Sequence, residues 1–218
     1  METRLLDVLH QSRLFFVPYL IVIICCIILK LDYTRPEIYF AINTHHSNMC
    51  DLIFPYVTEL GTGWMLVPIA LYFLCTSYRK LLLFASSFAI SGIIVQIAKR
   101  MVHAPRPKAY FAGQLTKIYF VKGQVILTNN SFPSGHTVTA FAAATVLAYL
   151  AVSKRWGFIF LLFAMAVAYS RMYLSQHFLE DVMAGSIIGV MSTLLWLTWI
   201  DGRPFLKSAK WNRGLLKK

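Results

Sequence analysis

Phe132-Pro133-Ser134-Gly135-His136 runs directly into the apolar stretch Thr137–Val152, and the reading of that junction decides the fold. Proline can introduce a helix and serine can cap one. Gly135 lets a ligand come close to the backbone. The unpaired N–H groups and positive dipole end of a new helix favour an anion, and His136 would set a proton donor beside it. An apolar helix that opens this way reads as a membrane span whose end holds a phosphate.

The rest of the chain supports a membrane setting. Of 218 residues, 58% are hydrophobic and 14% charged, with a mean hydropathy of +0.61, too apolar for a soluble domain of this size. A net charge of +12 would suit a nucleic-acid partner. The Lys and Arg residues, however, sit at the ends of apolar runs, as in membrane loops, so nucleic acid is discounted. Cys25, Cys26 and Cys75 fall inside apolar runs and Cys50 in a connection. They read as small buried hydrophobes, not as a disulfide framework or zinc site. The first apolar run lacks a small-x-small cleavage site and reads as a retained anchor.

Six spans are expected: Leu14–Leu29, Gly63–Ser77, Leu81–Ala98, Ser134–Val152, Trp156–Tyr169 and Phe178–Ile200. Several are shorter than the ~20 residues usually needed to cross, and flanking residues would complete them. Gly185 and Gly189 at i, i+4 would let a neighbouring helix approach the last span. Tyr33–Gly61 suggests short amphipathic helices at the interface. Residues 99–132 form a long polar connection in which Ile118–Val121, Lys122-Gly123 and Gln124–Leu127 suggest a small hairpin. The fold class is thus all-α, an integral membrane bundle of six transmembrane helices with short interfacial helices and a long outer loop. It forms one membrane-embedded domain over residues 1–218, closed by a basic cytoplasmic tail, residues 201–218, suited to anionic head groups.

With six spans both ends share one side. The N-terminal segment, Arg79-Lys80, Lys154-Arg155 and the tail carry twelve of the 21 Lys and Arg residues. Three of the other nine (Lys99, Arg106, Arg171) belong to the constellation below. The positive-inside rule then puts the termini in the cytoplasm and the long loop outside, in the periplasm of a Gram-negative cell.

That orientation gathers chemistry at one level. The third span ends at Lys99, with Arg106 seven residues on. The fourth begins at Ser134-Gly135-His136. The fifth is followed by Ser170-Arg171, and the sixth is preceded by His177, with Asp181 four residues later. Lys99, Arg106 and Arg171 can neutralise a phosphate and its transition state. N–H groups around Ser134 and Gly135 can bind its oxygens. His177 and Asp181 share a helix face. Asp181 can accept the Nδ1 proton and present Nε2 as a nucleophile, while His136 can protonate a leaving alkoxide and then activate water. No metal or other cofactor is needed, since the basic residues supply the positive charge.

Lys99-x6-Arg106-Pro107, Pro133-Ser134-Gly135-His136 and Ser170-Arg171-x5-His177-x3-Asp181 resemble the three-part signature of the type 2 phosphatidic acid phosphatase superfamily. Its soluble relatives include acid phosphatases and vanadium haloperoxidases. The resemblance is complete at every signature position, and its motifs cover Lys99 to Asp181. It implies a phosphohistidine on His177, a general acid/base at His136 and no metal. It also implies a substrate that is a lipid phosphate or diphosphate at the membrane surface, pointing to a bacterial envelope lipid such as lipid A or undecaprenyl diphosphate and to the bacterial cytoplasmic membrane.

Several residues fall outside the signature. Glu180, i+3 from His177, could compete with Asp181 for the imidazole. His103 reads as a bystander and His45-His46 as a solvated or interfacial pair. Tyr110, Phe111, Tyr119 and Phe120 read as interface anchors, with a lid over the phosphate site as a second reading. Lys117 and Lys122 could touch a second anionic group on a large substrate. Asp51 and Glu59 have no specific chemistry.

Overall fold

A computed structural model describes residues 5–216. Arg4, Lys217 and Lys218, counted above on the cytoplasmic side, lie outside the described residues. Among the described residues the regular structure is helical: α1 (Leu5–Gln11), α2 (Arg13–Asp32), α3 (Arg35–Asn43), α4 (Asn48–Glu59), α5 (Val67–Thr76), α6 (Tyr78–Met101), α7 (Pro107–Tyr110), α8 (Gly135–Leu150), α9 (Trp156–Tyr173) and α10 (Leu179–Ile200).

Helices α2, α6, α9 and α10 are long and apolar enough to cross a membrane. The helix expected at the interface before the second span is α4. Helix α4 and the segment Gly63–Thr76 form a pair bent by 63°, which makes a fifth crossing if the pair is one span. The bend has a cause in packing. A Cβ on Gly61 would stand 2.8 Å from both the His136 carbonyl oxygen and Val167 Cγ1, so only glycine lets the turn press this close to α8 and α9. Helix α3 is the short amphipathic helix anticipated, and its start is fixed locally: the Thr34 N–H and hydroxyl both donate to Glu37 Oε2, at 2.8 and 2.6 Å.

Helix α8 is the shortest of the long apolar helices, with 16 residues, or about 24 Å at 1.5 Å per residue. It is also the hub, packed against α6, α9 and α10. Ten of its residues are buried, among them Val138, Phe141, Thr145 and Val146, and burial on all sides suits a helix apolar all round. The expected close approach on α10 is present. A Cβ on Gly185 would fall 2.7 Å from the Ser134 carbonyl, and one on Gly189 2.6 Å from that of Val138. The start of α10 is therefore held against the start of α8, which positions the site.

At the other end, the buried Asp201 accepts Arg79 Nε (2.8 Å) and Nη2 (2.6 Å) and the Tyr149 hydroxyl (2.5 Å), tying α6, α8 and α10. The tail folds back on the bundle instead of extending. Leu206 is fully buried, Tyr78 N–H donates to Arg213 O (2.8 Å), and the Leu215 and Leu216 N–H groups donate to Leu74 O and Cys75 O.

The α6–α8 connection contains α7 and a 3₁₀ turn at Ala112–Lys117, but no hairpin. Gly123 does turn the chain, at φ +79°. The backbone groups that a ladder would pair have other partners. The Asn43 amide donates to Tyr119 O (2.8 Å) and accepts from Tyr119 N–H (2.9 Å), and Gln176 Nε2 donates to Val125 O (2.8 Å). Side-chain amides thus replace a facing strand. The aromatic residues here turn inward more than the anchor reading expects. Phe111 is buried with Tyr39 and Phe178, Phe120 packs on that cluster, and Tyr119 stacks on His46 with centroids 3.7 Å apart. Tyr110 is the exposed one.

Candidate active site

The α9–α10 turn explains the Arg171-x5-His177 spacing. Helix α9 stops at Tyr173, and Ser175 takes a left-handed conformation, φ +55°, which few residues other than glycine adopt. The Arg171 carbonyl then accepts the N–H groups of both Gln176 (3.0 Å) and His177 (3.2 Å). Tyr39 OH and Ser175 Oγ lie 2.9 Å apart, and Asn43 Nδ2 donates to the same oxygen at 3.2 Å, so α3 holds the strained residue in place. Arg171 and His177 emerge from opposite sides of one tight turn, both buried.

His177 is 1% exposed. Its Nδ1 lies 3.4 Å from Asp181 Oδ2, a long hydrogen bond. The same oxygen accepts the Ser131 hydroxyl at 2.5 Å and the Phe178 N–H at 2.9 Å. Burial, reinforced by Arg106 and Arg171, pulls the imidazole down to about 3 against the opposing pull of Asp181. The ring is thus held toward its neutral form, with its Nδ1 edge facing the carboxylate. Asp181, not Glu180, faces the imidazole. Glu180 turns away to Arg35, and Lys30 Nζ stands 3.6 Å from its other oxygen.

Arg106 is buried and braced. Its Nε donates to Asn129 O (2.9 Å), and its Nη1 donates to Gln176 O (3.1 Å) and Oε1 (3.0 Å). That leaves the Nη2 edge for a ligand. Burial works against its charged form and the field of Asp181 supports it. Arg171, 7% exposed, donates from Nη1 to Thr58 Oγ1 at 2.9 Å, while its buried Nε has no partner among the described residues. A buried, charged donor left unpaired is costly unless a ligand meets it.

Helix α8 supplies the opposite wall. Ser134 is its N-cap, yet the hydroxyl caps nothing; it accepts instead from Thr137 Oγ1 at 2.9 Å. The first-turn N–H groups stay uncapped, as an anion site requires. Ser134 N–H donates to the Asp181 carbonyl at 3.0 Å, stitching the starts of α8 and α10 together. Lys99 reaches over this start, its Nζ 3.7 Å from where a Gly135 Cβ would lie. Lys99, Arg106 and Arg171 all act electrostatically on His136.

Every residue singled out at the junctions of the sequence therefore converges. Those not foreseen are the supports: Ser131 on Asp181, Gln176 on Arg106, Thr58 on Arg171, and Asn43 beneath the turn. Asp51, given no role above, accepts the hydroxyls of Tyr173 (2.5 Å) and Tyr119 and ties α4 to α9 and the long connection. Adjacency to the motif was the one signal available for Gln176 and Ser131.

The chain is similar to several known proteins. The undecaprenyl-diphosphatase BcrC of Bacillus subtilis is 27% identical over 176 residues, 78% of this chain and 86% of that protein. The crystal structure of Aquifex aeolicus LpxE superposes with a TM-score of 0.68 at 27% identity, covering 77% of this chain and 98% of that one. A transmembrane PAP2-type phosphatidylglycerolphosphate phosphatase from Bacillus subtilis shares the fold, with a TM-score of 0.62 at 22% identity over 84% of this chain and 94% of its own. The PAP2 superfamily model matches residues 80–205, the stretch that holds every motif and helices α6 to α10, and with the motifs converged on one buried cluster the chain belongs to the PAP2 superfamily.

Proposed function

We propose that this protein is a lipid phosphatase that hydrolyses a phosphate monoester or diphosphate without a metal, at the outer interface of a bacterial cytoplasmic membrane. One observation carries the reading. A neutral, buried His177 facing Asp181 stands beside Arg171, whose buried Nε has no partner among the described residues. An unpaired cationic donor next to a poised imidazole suits a phosphoryl group approached by a nucleophile.

In this reading Arg106, Arg171, Lys99 and the N–H groups at Ser134–Gly135 hold the three equatorial oxygens. His177 Nε2 attacks phosphorus, the leaving oxygen takes the His136 proton, and water then hydrolyses the phosphohistidine with His136 as base. A lipid substrate accords with a cluster set at the ends of apolar helices. The likeness to a protein named undecaprenyl-diphosphatase favours a polyprenyl diphosphate over lipid A. Transfer of the phosphoryl group to an acceptor other than water would use the same residues, whereas a pure binder would need no oriented nucleophile.

The purified protein in neutral detergent is expected to release inorganic phosphate from a polyprenyl diphosphate at an undiminished rate in EDTA. Loss of activity in EDTA, restored by a divalent ion, would overturn the metal-free mechanism. Turnover that occurs only with an added alcohol acceptor, the phosphoryl group being recovered as the alcohol's phosphate ester and not as inorganic phosphate, would make the protein a transferase.

The six-span topology completes the proposal. The bent pair counts as one crossing and α8, enclosed by its neighbours, as another, with both termini cytoplasmic. Gln114, exposed in the α6–α8 connection, is the test position. In a background lacking the four native cysteines, Gln114→Cys should react with a membrane-impermeant maleimide on intact cells. Reaction only after permeabilisation would reverse the orientation.

A further inference from the structure

A cleft of about 610 Å³ opens beside the cluster, within the ~300–1,000 Å³ of pockets that take a whole small ligand. Gln96, Lys99, Arg100, His103 and Arg106 form one wall and residues 127–130 the other. Gln96, Lys99 and Arg100 stand at i, i+3 and i+4 on one face of α6. Lys99 and Arg106 belong to both the phosphate cluster and the cleft, so the two are continuous.

No carboxylate lines this cleft. Among the described residues, Arg100 and His103 make no hydrogen bond or ion pair with the rest of the chain. Ion pairs to carboxylates form elsewhere in the bundle, as between Arg35 and Glu180 and between Arg79 and Asp201. Basic groups placed together without an acid repel one another unless an anion joins them. The opposite wall adds neutral donors, Thr128, Asn129 and Asn130, of the kind that complete a phosphate site.

We infer that this cleft seats a second phosphate of the substrate itself, so that the enzyme selects lipid diphosphates over monophosphates of the same chain. The inference rests on the phosphatase reading above. In a diphosphate, His177 Nε2 forms a bond to the terminal phosphorus and the bridging P–O bond breaks. The bridging oxygen takes the His136 proton, and a lipid monophosphate departs. That leaving group carries a phosphate one bond from the reacting centre, and Lys99 and Arg106 connect the reacting centre to Arg100 and His103. In a monophosphate the leaving group is an uncharged alcohol, and Arg100 and His103 have nothing to hold.

The phosphate of a neighbouring membrane lipid has the same chemistry, so the test separates the two sources. Farnesyl diphosphate and farnesyl monophosphate would be compared in neutral detergent free of phospholipid, for the wild type and for the double variant Arg100→Gln, His103→Gln. The variant should lose about 10–100-fold in kcat/KM on the diphosphate, the size expected for charge-assisted bonds, and change by less than about twofold on the monophosphate. Arg100→Lys with His103 intact should recover part of the diphosphate rate, which separates lost charge from misfolding. Equal losses on both substrates, or none on either, would overturn the inference. So would a difference that appears only when anionic phospholipid is added, because the cleft would then hold a bilayer head group. A wild type that releases phosphate from neither compound, nor from any longer lipid phosphate, would instead remove the phosphatase reading beneath it.

Discussion

His177→Ala abolishes phosphate release, lowering kcat on the order of 10⁴-fold or more, the scale on which loss of a covalent nucleophile is felt. The size follows from what the imidazole has around it. It is 1% exposed, and burial with Arg106 and Arg171 close by favours its neutral form. No solvent-held group stands by to replace it. Because its neutral form persists down to about pH 3, an acid limb in the rate profile between pH 5 and 7 would belong to another group, such as the substrate phosphate. Two measurements check the claim. Phosphate release from the detergent-purified variant should sit at background. Rapid quenching of the wild type with labelled substrate should trap an acid-labile, base-stable protein phosphate that the variant lacks. A variant that keeps the label would move the nucleophile elsewhere.

How much of this site could be read beforehand divides along a physical line. Lys99, Arg106, Ser134, His136, Arg171, His177 and Asp181 were legible because each sits where an apolar run meets a polar one, and the helix ends that carry them lie near one another. Gly185 and Gly189 were legible because small residues a turn apart have one common use inside a bundle, and the Ser134 and Val138 carbonyls do fill that space. What was hidden depends on contacts between residues far apart in sequence. Asn43 takes the hydrogen bonds of Tyr119, 76 positions away, and so removes the hairpin. Gly61 allows the bend between α4 and Gly63–Thr76 only because His136 and Val167 lie against it. The tail lies along the α5–α6 turn through backbone bonds, and Gly214, where a Cβ would fall 2.4 Å from the Cys75 carbonyl, shows its purpose only once the two segments are seen together. Local spacing carries the chemistry, while the supports that orient it are tertiary.

Asp181→Asn separates orientation from mere presence of the histidine, and it is expected to lower kcat by about 10²–10⁴-fold with little change in KM. Asp181 Oδ2 receives three donors: the Ser131 hydroxyl, the Phe178 N–H and His177 Nδ1. Asparagine has the same outline but one oxygen. If that oxygen takes the place of Oδ2, Ser131 and Phe178 keep their partner and the start of α10 stays capped. The ring, however, loses the negative charge that must balance it once phosphorus bonds to Nε2, while Arg106 and Arg171 still repel the charge it gains. If the amide nitrogen takes that place, donor faces donor, and the imidazole is driven to the tautomer with its proton on Nε2, where it cannot attack. Either arrangement spares Lys99, Arg106 and Arg171, which is why binding should hold while turnover falls. Kinetics on a lipid diphosphate and a thermal unfolding midpoint on the same preparation decide the matter. A drop of less than about tenfold in kcat, or a KM that rises while kcat holds, would make Asp181 a support for the helix start and not the group that orients the nucleophile.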